Sequence, residues 1–98
     1  MKEEYNFEVS GTYFQKEIMT AYDKIKSVFG MPIKGMDMGK VDAQWEIKTP
    51  YGMGTIYNYK DGKNYLGREG MPKTKITNWH IGGHNIETAL YIEIKLLK

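Results

Sequence analysis

The sequence predicts an α+β protein: a small antiparallel sheet of about four strands with two helices packed on one face. Segments with apolar residues at every second position alternate with segments whose apolar residues recur every three or four positions. These segments follow the order strand, helix, three strands, helix, which favours a sheet covered by helices. The 98 residues allow one modest core, so residues 1–98 are expected to form a single domain.

The first two predicted elements are a strand and a helix. Tyr5, Phe7 and Val9 alternate with polar residues, which predicts a strand over residues 4–10. Thr12 and Gln15 have the spacing of a capping box at the start of a helix, and glycine at position 30 is expected to end that helix. The apolar residues at helical steps are Phe14, Ile18, Ala21, Tyr22, Ile25, Val28 and Phe29.

A hairpin is predicted after a loop at residues 31–40. Alternation over residues 41–48 predicts a half-buried strand, the Pro and Gly of residues 49–52 predict a turn, and residues 54–59 form the next strand. The residues expected to face inward on the first strand of the hairpin are Val41, Ala43, Trp45 and Ile47.

The remaining chain is expected to contain a loop, a strand and a helix. Residues 60–75 hold three glycines and a proline, which predicts an extended loop without regular structure. Residues 76–81 form the last strand, which Gly82 and Gly83 are expected to break. Asn85 is the expected cap of a final helix, although Tyr91 and Ile92 leave a strand alternative open. The residues at helical steps are Ile86, Ala89, Leu90, Ile94 and Leu97.

Composition narrows the classes of function. Fourteen basic and 12 acidic residues give a net charge of +2, too small an excess for a protein that binds long nucleic acid. The absence of cysteine excludes disulfides, a thiol nucleophile and cysteine-ligated metals. The polar amino terminus and the lack of a long apolar run predict a soluble intracellular protein that does not bind membranes.

Candidate chemistry concentrates between Trp45 and Trp79, where aromatic residues are interleaved with Lys60, Lys63, Asn64 and Arg68, a pattern suited to stacking bases and holding phosphates. Gly82 and Gly83, before a helix, offer a less specific anion site. We do not expect His80 and His84 to bind a metal, because the glycines between them remove the regular spacing of helical ligands. His80 could act as a general base near Lys63 or Tyr65, but no catalytic residues and no cofactor are predicted.

Two runs of the sequence, TIYNYKDGKNYLG at residues 55–67 and ITNWHIGG at residues 76–83, resemble a family of small bacteriophage-encoded proteins. FGMP at residues 29–32 and VDAQW at residues 41–45 fit the same pattern. The resembling proteins are anti-CBASS sponges, which sequester cyclic dinucleotides and so silence antiviral signalling. The resemblance implies a protein of the host cytoplasm that binds a cGAMP-like cyclic dinucleotide without hydrolysing it, as a homo-oligomer.

This ligand class assigns roles to the residues in and near the two runs. Aromatic rings would stack on the bases, basic side chains would neutralise the phosphates, and amides and the imidazole would contact base edges or ribose hydroxyls. The expected ligand-binding residues are Tyr57, Tyr59, Lys60, Lys63, Asn64, Tyr65, Trp79 and His80, with Asn58 and Arg68 in support. Two alternatives remain: a protein-binding module that inhibits a host protein through the glycine-rich basic loop, and a small hydrolase with His80 as base.

Overall fold

The computed structural model describes residues 12–33 and 41–97. It contains a four-stranded antiparallel sheet, with strand order β1-β4-β3-β2, and two longer helices. The strands are β1 Tyr13–Met19, β2 Gln44–Thr49, β3 Gly52–Tyr57 and β4 Asn78–Gly83. The helices are α1 Tyr22–Phe29, the short α2 Lys63–Leu66 and α3 Ile86–Leu97. The predicted α+β class is therefore confirmed, whereas the strand predicted over residues 4–10 lies outside the described residues.

The first helix is shorter than predicted, because residues 13–19 form β1 instead of its first half. β1 pairs with β4 from Tyr13 opposite Gly83 to Met19 opposite Asn78, with a bulge at residue 15. The predicted capping box is wrong: the Gln15 amide donates to the Gly83 carbonyl at 3.0 Å. Pairing with β4 thus overrides the helical spacing of Phe14 and Ile18. The predicted end is confirmed, since Gly30 has a φ of 89° and its N–H donates to the Lys26 carbonyl at 2.8 Å.

The hairpin of β2 and β3 is confirmed, with Gln44 opposite Tyr57 and Thr49 opposite Gly52. Its turn is fixed by the Thr49 hydroxyl, which donates to the Gly52 carbonyl at 2.6 Å and accepts from the Tyr51 N–H at 3.1 Å. Gly52 has a φ of 124°, a backbone conformation that residues with side chains rarely adopt. Local turn chemistry therefore sets the register of this half of the sheet.

The glycine pair does not break the last strand as predicted, because Gly82 and Gly83 are its final two residues. Gly83 pairs with both Tyr13 and Gly54, so it belongs to the middle of the sheet. α3 begins directly afterwards, and the side chain of Asn85 caps it by accepting from the Thr88 N–H at 2.9 Å. The helical prediction for the last segment and its cap are both confirmed.

Residues 60–75 are more regular than the predicted extended loop. They contain α2 and two 3₁₀ turns, Gly67–Glu69 and Lys73–Lys75. The Met71 N–H donates to the Asp61 carbonyl at 3.0 Å, which joins the two ends of the first part of this segment. Two of the glycines that suggested an open loop serve close packing, since a Cβ on Gly70 would collide with the Gly62 carbonyl oxygen and a Cβ on Gly62 would collide with the Asp42 carboxylate.

The core lies between the helices and one face of the sheet. Tyr22 and Ile25 of α1 and Ala89, Ile92 and Leu96 of α3 belong to one buried cluster with residues of all four strands. At its centre Trp79 is fully buried, with its ring 5.4 Å from that of Trp45, and its indole N–H donates to the carbonyls of Thr20 and Ile76, each at 3.1 Å. The buried residues of this cluster include Ile18, Tyr22, Ile25, Trp45, Ile47, Ile56, Ile76, Trp79, Ile81, Ala89, Ile92 and Leu96. Within residues 12–33 and 41–97, none of the helices combines the length and apolar character needed to cross a bilayer.

Candidate functional site

The candidate site lies on the sheet face turned away from the helices. Side chains alternate between the two faces of a strand, so the burial of Trp79 and Ile81 under the helices places His80 on the opposite face. His80 lies between Glu17 of β1 and Tyr57 of β3 in the register of the sheet. Three strands thus bring one side chain each to a common row.

Aromatic rings surround His80 on this face. The centroid of its ring is 4.9 Å from that of Phe14, 5.5 Å from that of Tyr57 and 5.8 Å from that of Tyr59. The carboxylate of Glu17 completes the group, with Oε2 3.3 Å from His80 Nε2. We call Phe14, Glu17, Tyr57, Tyr59 and His80 the His80 cluster. Only 20% of the His80 side chain is exposed, so the surrounding groups fix its position.

A cationic side chain adjoins the cluster immediately after β3. The ammonium of Lys60 lies 5.2 Å from the centroid of the Tyr59 ring and 5.5 Å from that of the Tyr65 ring. Both distances are within the range of cation–π attraction. Lys60 has a φ of 64°, and it is the one residue other than glycine in the described ranges with a positive φ. A side chain in this conformation is unfavourable unless surrounding contacts hold it.

Hydrogen bonds of the Asn58 side chain join the turn around Lys60 to residues 42 and 43. Asn58 is fully buried; its Oδ1 accepts from the N–H groups of Asp42 and Ala43 at 2.7 and 3.0 Å. Its Nδ2 donates to Oδ1 of Asp42 and Oδ1 of Asp61, each at 3.1 Å. These four bonds occupy both acceptor positions and both donors of the side-chain amide, so none is left for a ligand. The expected contact of Asn58 with a ligand is therefore wrong, and the residue instead positions the turn that carries Lys60.

The structure brings five of the eight expected binding residues together. They are Tyr57, Tyr59, Lys60, Tyr65 and His80. Trp79 does not join them, because its side chain is fully buried on the helix side of the sheet and offers no face for stacking.

The other predicted polar residues lie in the neighbouring segment. Lys63, at the start of α2, and Arg68, in the first 3₁₀ turn, are both exposed. Asn64 is in α2, and its side chain is outside the described part of the molecule.

Phe14 and Glu17 belong to the site but were not predicted as site residues. Both lie in the segment that was assigned to a helix. Their positions follow from the pairing of β1 with β4, which places Phe14 opposite Gly82 and Glu17 opposite His80. The bulge between Phe14 and Lys16 is what allows residues 14 and 17 to reach the same face.

Burial alters the acid–base behaviour of two side chains on this face. Burial and, as a smaller effect, the neighbouring Tyr59 raise the pKa of Tyr57 above its usual value, which favours the neutral phenol. Burial also raises the pKa of Glu46, while a hydrogen bond with Gln44 acts in the opposite direction. In the described part of the chain, no three His, Asp or Glu side chains are placed to hold a metal ion.

The expected anion site at Gly82 and Gly83 is wrong, because both residues are paired within β4 and are not at a helix terminus. A Cβ on Gly82 would lie 2.7 Å from the Thr55 hydroxyl, so this glycine allows side chains of neighbouring strands to pack closely.

A separate cavity of about 310 Å³ lies by the hairpin turn and is lined by Lys48, Thr49, Gly52, Met53 and His84. The cavity contains none of the rings of the His80 cluster. We therefore place the candidate site at that cluster, where aromatic rings and charged groups lie together.

Comparison with models of known protein families and with curated proteins found no match to this sequence.

Proposed function

We propose that the protein binds a cyclic dinucleotide at the His80 cluster and sequesters it without chemical change. The observation that carries this proposal is the convergence of Tyr57, Tyr59 and His80 beside the ammonium of Lys60. A nucleotide combines a flat base with a charged phosphate, and this surface offers a complement to each. Stacking of a base on an aromatic side chain contributes about 1–3 kcal/mol, whatever the base.

The accessible rings are two at the edges of the cluster and a third, Tyr65, beside Lys60. Phe14 is 48% exposed, Tyr59 is 40% exposed and Tyr65 is 48% exposed, whereas His80 is more enclosed. A base can therefore lie on Tyr59 or Phe14 while a phosphate approaches Lys60. Lys63 is exposed two residues after Asp61, in the segment that follows, and can add positive charge for a second phosphate.

The resemblance to phage sponge proteins supports the remaining parts of the proposal. A sponge needs tight capture and no turnover, and nanomolar affinity corresponds to about −12 kcal/mol. One stacked ring and one ammonium do not reach that value, so a second set of contacts is required. A homo-oligomer that offers two copies of the cluster to the two halves of the ligand would supply it. The host cytoplasm, where such signals act, is the proposed location.

The test is titration of the protein with a panel of cyclic dinucleotides by calorimetry, followed by recovery of the ligand after heat denaturation. We expect binding and recovery of intact ligand. Tyr59→Ala should weaken binding roughly 5- to 150-fold, the equivalent of one lost stacking contact. Tyr51→Ala is the matched control, because Tyr51 is 53% exposed in the hairpin turn and lies outside the cluster.

Two results would contradict the proposal. Degraded ligand would favour an enzyme, and equal affinities of the two tyrosine variants would remove the binding site from the His80 cluster. Lys60→Gly gives an independent measurement, because glycine accepts the positive φ of this position while the ammonium is lost. We expect its binding to become weaker and less sensitive to salt.

One observation favours the alternative, a module that inhibits a host protein. The basic segment of residues 60–75 exposes Tyr65, Leu66 and Met71, which are 48%, 46% and 45% accessible. Large apolar side chains surrounded by cations are suited to a protein interface. This alternative predicts no stabilisation by any nucleotide, together with capture of a host protein that Leu66→Ser abolishes.

A further inference from the structure

We infer that Glu17 is a specificity-determining residue, which recognises a guanine base of the ligand through its carboxylate. The inference rests on the proposed function, because it concerns the base held at the same cluster. It adds a specificity-determining residue on β1, a strand that contributed none of the expected contacts.

The position of Glu17 places an acceptor at the edge of the ring surface. Its carboxylate approaches the imidazole of His80 to 3.3 Å, and the Phe14 ring lies 4.9 Å from that imidazole on the same face. The Glu17 side chain is 56% exposed, in contrast to the 20% of His80. A base stacked against Phe14 therefore has a carboxylate within reach of its edge.

The chemistry of a carboxylate selects among the bases. An ionised carboxylate only accepts hydrogen bonds, and contact with one His80 nitrogen uses one of its roughly four acceptor positions. The Watson–Crick edge of guanine presents two neighbouring donors, N1–H and the N2 amino group, which match two carboxylate oxygens. Adenine and cytosine each pair one amino donor with a ring-nitrogen acceptor, which a carboxylate repels. Uracil places its single N–H between two carbonyl oxygens, which are also acceptors.

The charges of the site fix the direction of the bound nucleotide. The two charges contact different rings of the Tyr59–His80 pair: the carboxylate of Glu17 contacts the imidazole, and the ammonium of Lys60 lies 5.2 Å from the centroid of the Tyr59 ring. A phosphate is repelled by the carboxylate and attracted by the ammonium. The base edge therefore points to β1, and the phosphate points to the turn after β3.

The experiment measures dissociation constants for cyclic di-GMP, cyclic GMP–AMP and cyclic di-AMP with the unmodified protein and with Glu17→Gln. We expect the unmodified protein to prefer cyclic GMP–AMP over cyclic di-AMP by roughly 5- to 150-fold, the discrimination of one bidentate contact, and to prefer cyclic di-GMP by a larger factor because it offers two guanines. Glu17→Gln should abolish most of this preference and leave the affinity for cyclic di-AMP unchanged or higher. The control is Glu87→Gln, on the exposed first turn of α3, which should keep the preference.

The outcomes separate the inference from the proposed function. If the three ligands bind equally well, or if Glu17→Gln weakens all three by the same factor, Glu17 only positions His80 and the inference is wrong. If none of the three binds to the unmodified protein, the proposed function fails and the inference falls with it. Circular dichroism of Glu17→Gln establishes that the variant is folded before its affinities are compared.

Discussion

Replacement of Asn58 by alanine tests whether the turn that carries Lys60 depends on one buried amide. The change removes the acceptor for two backbone N–H groups, those of Asp42 and Ala43, and the donor for two carboxylates. The Ala43 N–H is in a buried bond, whereas the bond to the Asp42 N–H is only partly buried. A buried donor without a partner costs about 1–3 kcal/mol, and the partly buried one costs less.

The expected loss for Asn58→Ala is therefore about 2–5 kcal/mol of the free energy of unfolding. In a domain of this size, each kcal/mol lowers the melting temperature by about 4–8 °C, so a fall of at least 8 °C is expected. Urea denaturation measures the free energy, and differential scanning calorimetry measures the melting temperature. A loss below about 1 kcal/mol would show that water replaces the amide and that the buried N–H groups do not depend on Asn58.

Asn58→Asp is the matched variant, because it keeps the acceptor and changes only the donor. The introduced carboxyl group faces the carboxylates of Asp42 and Asp61, where the amide now donates at 3.1 Å. Repulsion between like charges raises the pKa of the introduced group in the folded state. The variant should consequently be least stable at neutral pH and regain stability as the pH falls through that raised pKa. A stability loss that does not change with pH would contradict the proposed contacts.

Three further substitutions probe the sheet and its helix. Gly54→Ala would place a Cβ 2.6 Å from Ile92 Cδ1, so α3 has to shift. We expect the free energy of unfolding to fall by about 1–3 kcal/mol. Unchanged stability in urea denaturation would refute this close packing. Glu46→Gln should raise the free energy of unfolding at pH 7, because burial disfavours the charged carboxylate. This gain should shrink as the pH falls towards 4.5, the ordinary pKa of a glutamate side chain. A variant that is less stable than the unmodified protein at pH 7 would contradict this expectation. Asn85→Ala removes the cap of α3 and should cost about 1 kcal/mol in thermal unfolding, unlike a change at the exposed Glu87.

Features set by neighbours along the chain could be predicted from the sequence. The turn of the hairpin, the end of α1 at Gly30 and the cap of α3 at Asn85 all involve residues within four positions of one another. Turn and capping chemistry acts over this range, so the residue types alone were sufficient. The alternation of Val41, Ala43, Trp45 and Ile47 also identified a buried face correctly.

The segment of β1 could not be assigned in this way, because its partner lies far along the chain. Phe14 and Ile18 are four residues apart, as on a helix, but the bulge at residue 15 places Phe14 against His80 and Ile18 in the core. A four-residue spacing fits one stripe of a helix, and the sequence does not show that a bulge sends these two side chains to opposite faces of a strand. The missed contributions of Phe14 and Glu17 to the site follow from this one error.

The candidate site was partly predictable because much of it comes from consecutive residues. Tyr57, Tyr59 and Lys60 follow one another around the end of β3, so aromatic and basic composition was enough to select them. Trp79 was wrongly grouped with His80 because the two are adjacent in sequence. Adjacent residues of a strand point to opposite faces, so the alternation within residues 76–81 already separated them.

The place of β4 in the sheet has a consequence for how the chain acquires its site. Most of the described chain separates β1 from β4, yet the two strands are neighbours in the sheet, where β4 lies between β1 and β3. The Gln15–Gly83 hydrogen bond accordingly joins residues 68 positions apart. Closing so long a segment is entropically demanding and slow compared with forming the local hairpin. Glu17 and Phe14 can meet His80 only after this late step, so a ligand that touches both strands would slow their separation and report that the last stage of assembly is complete.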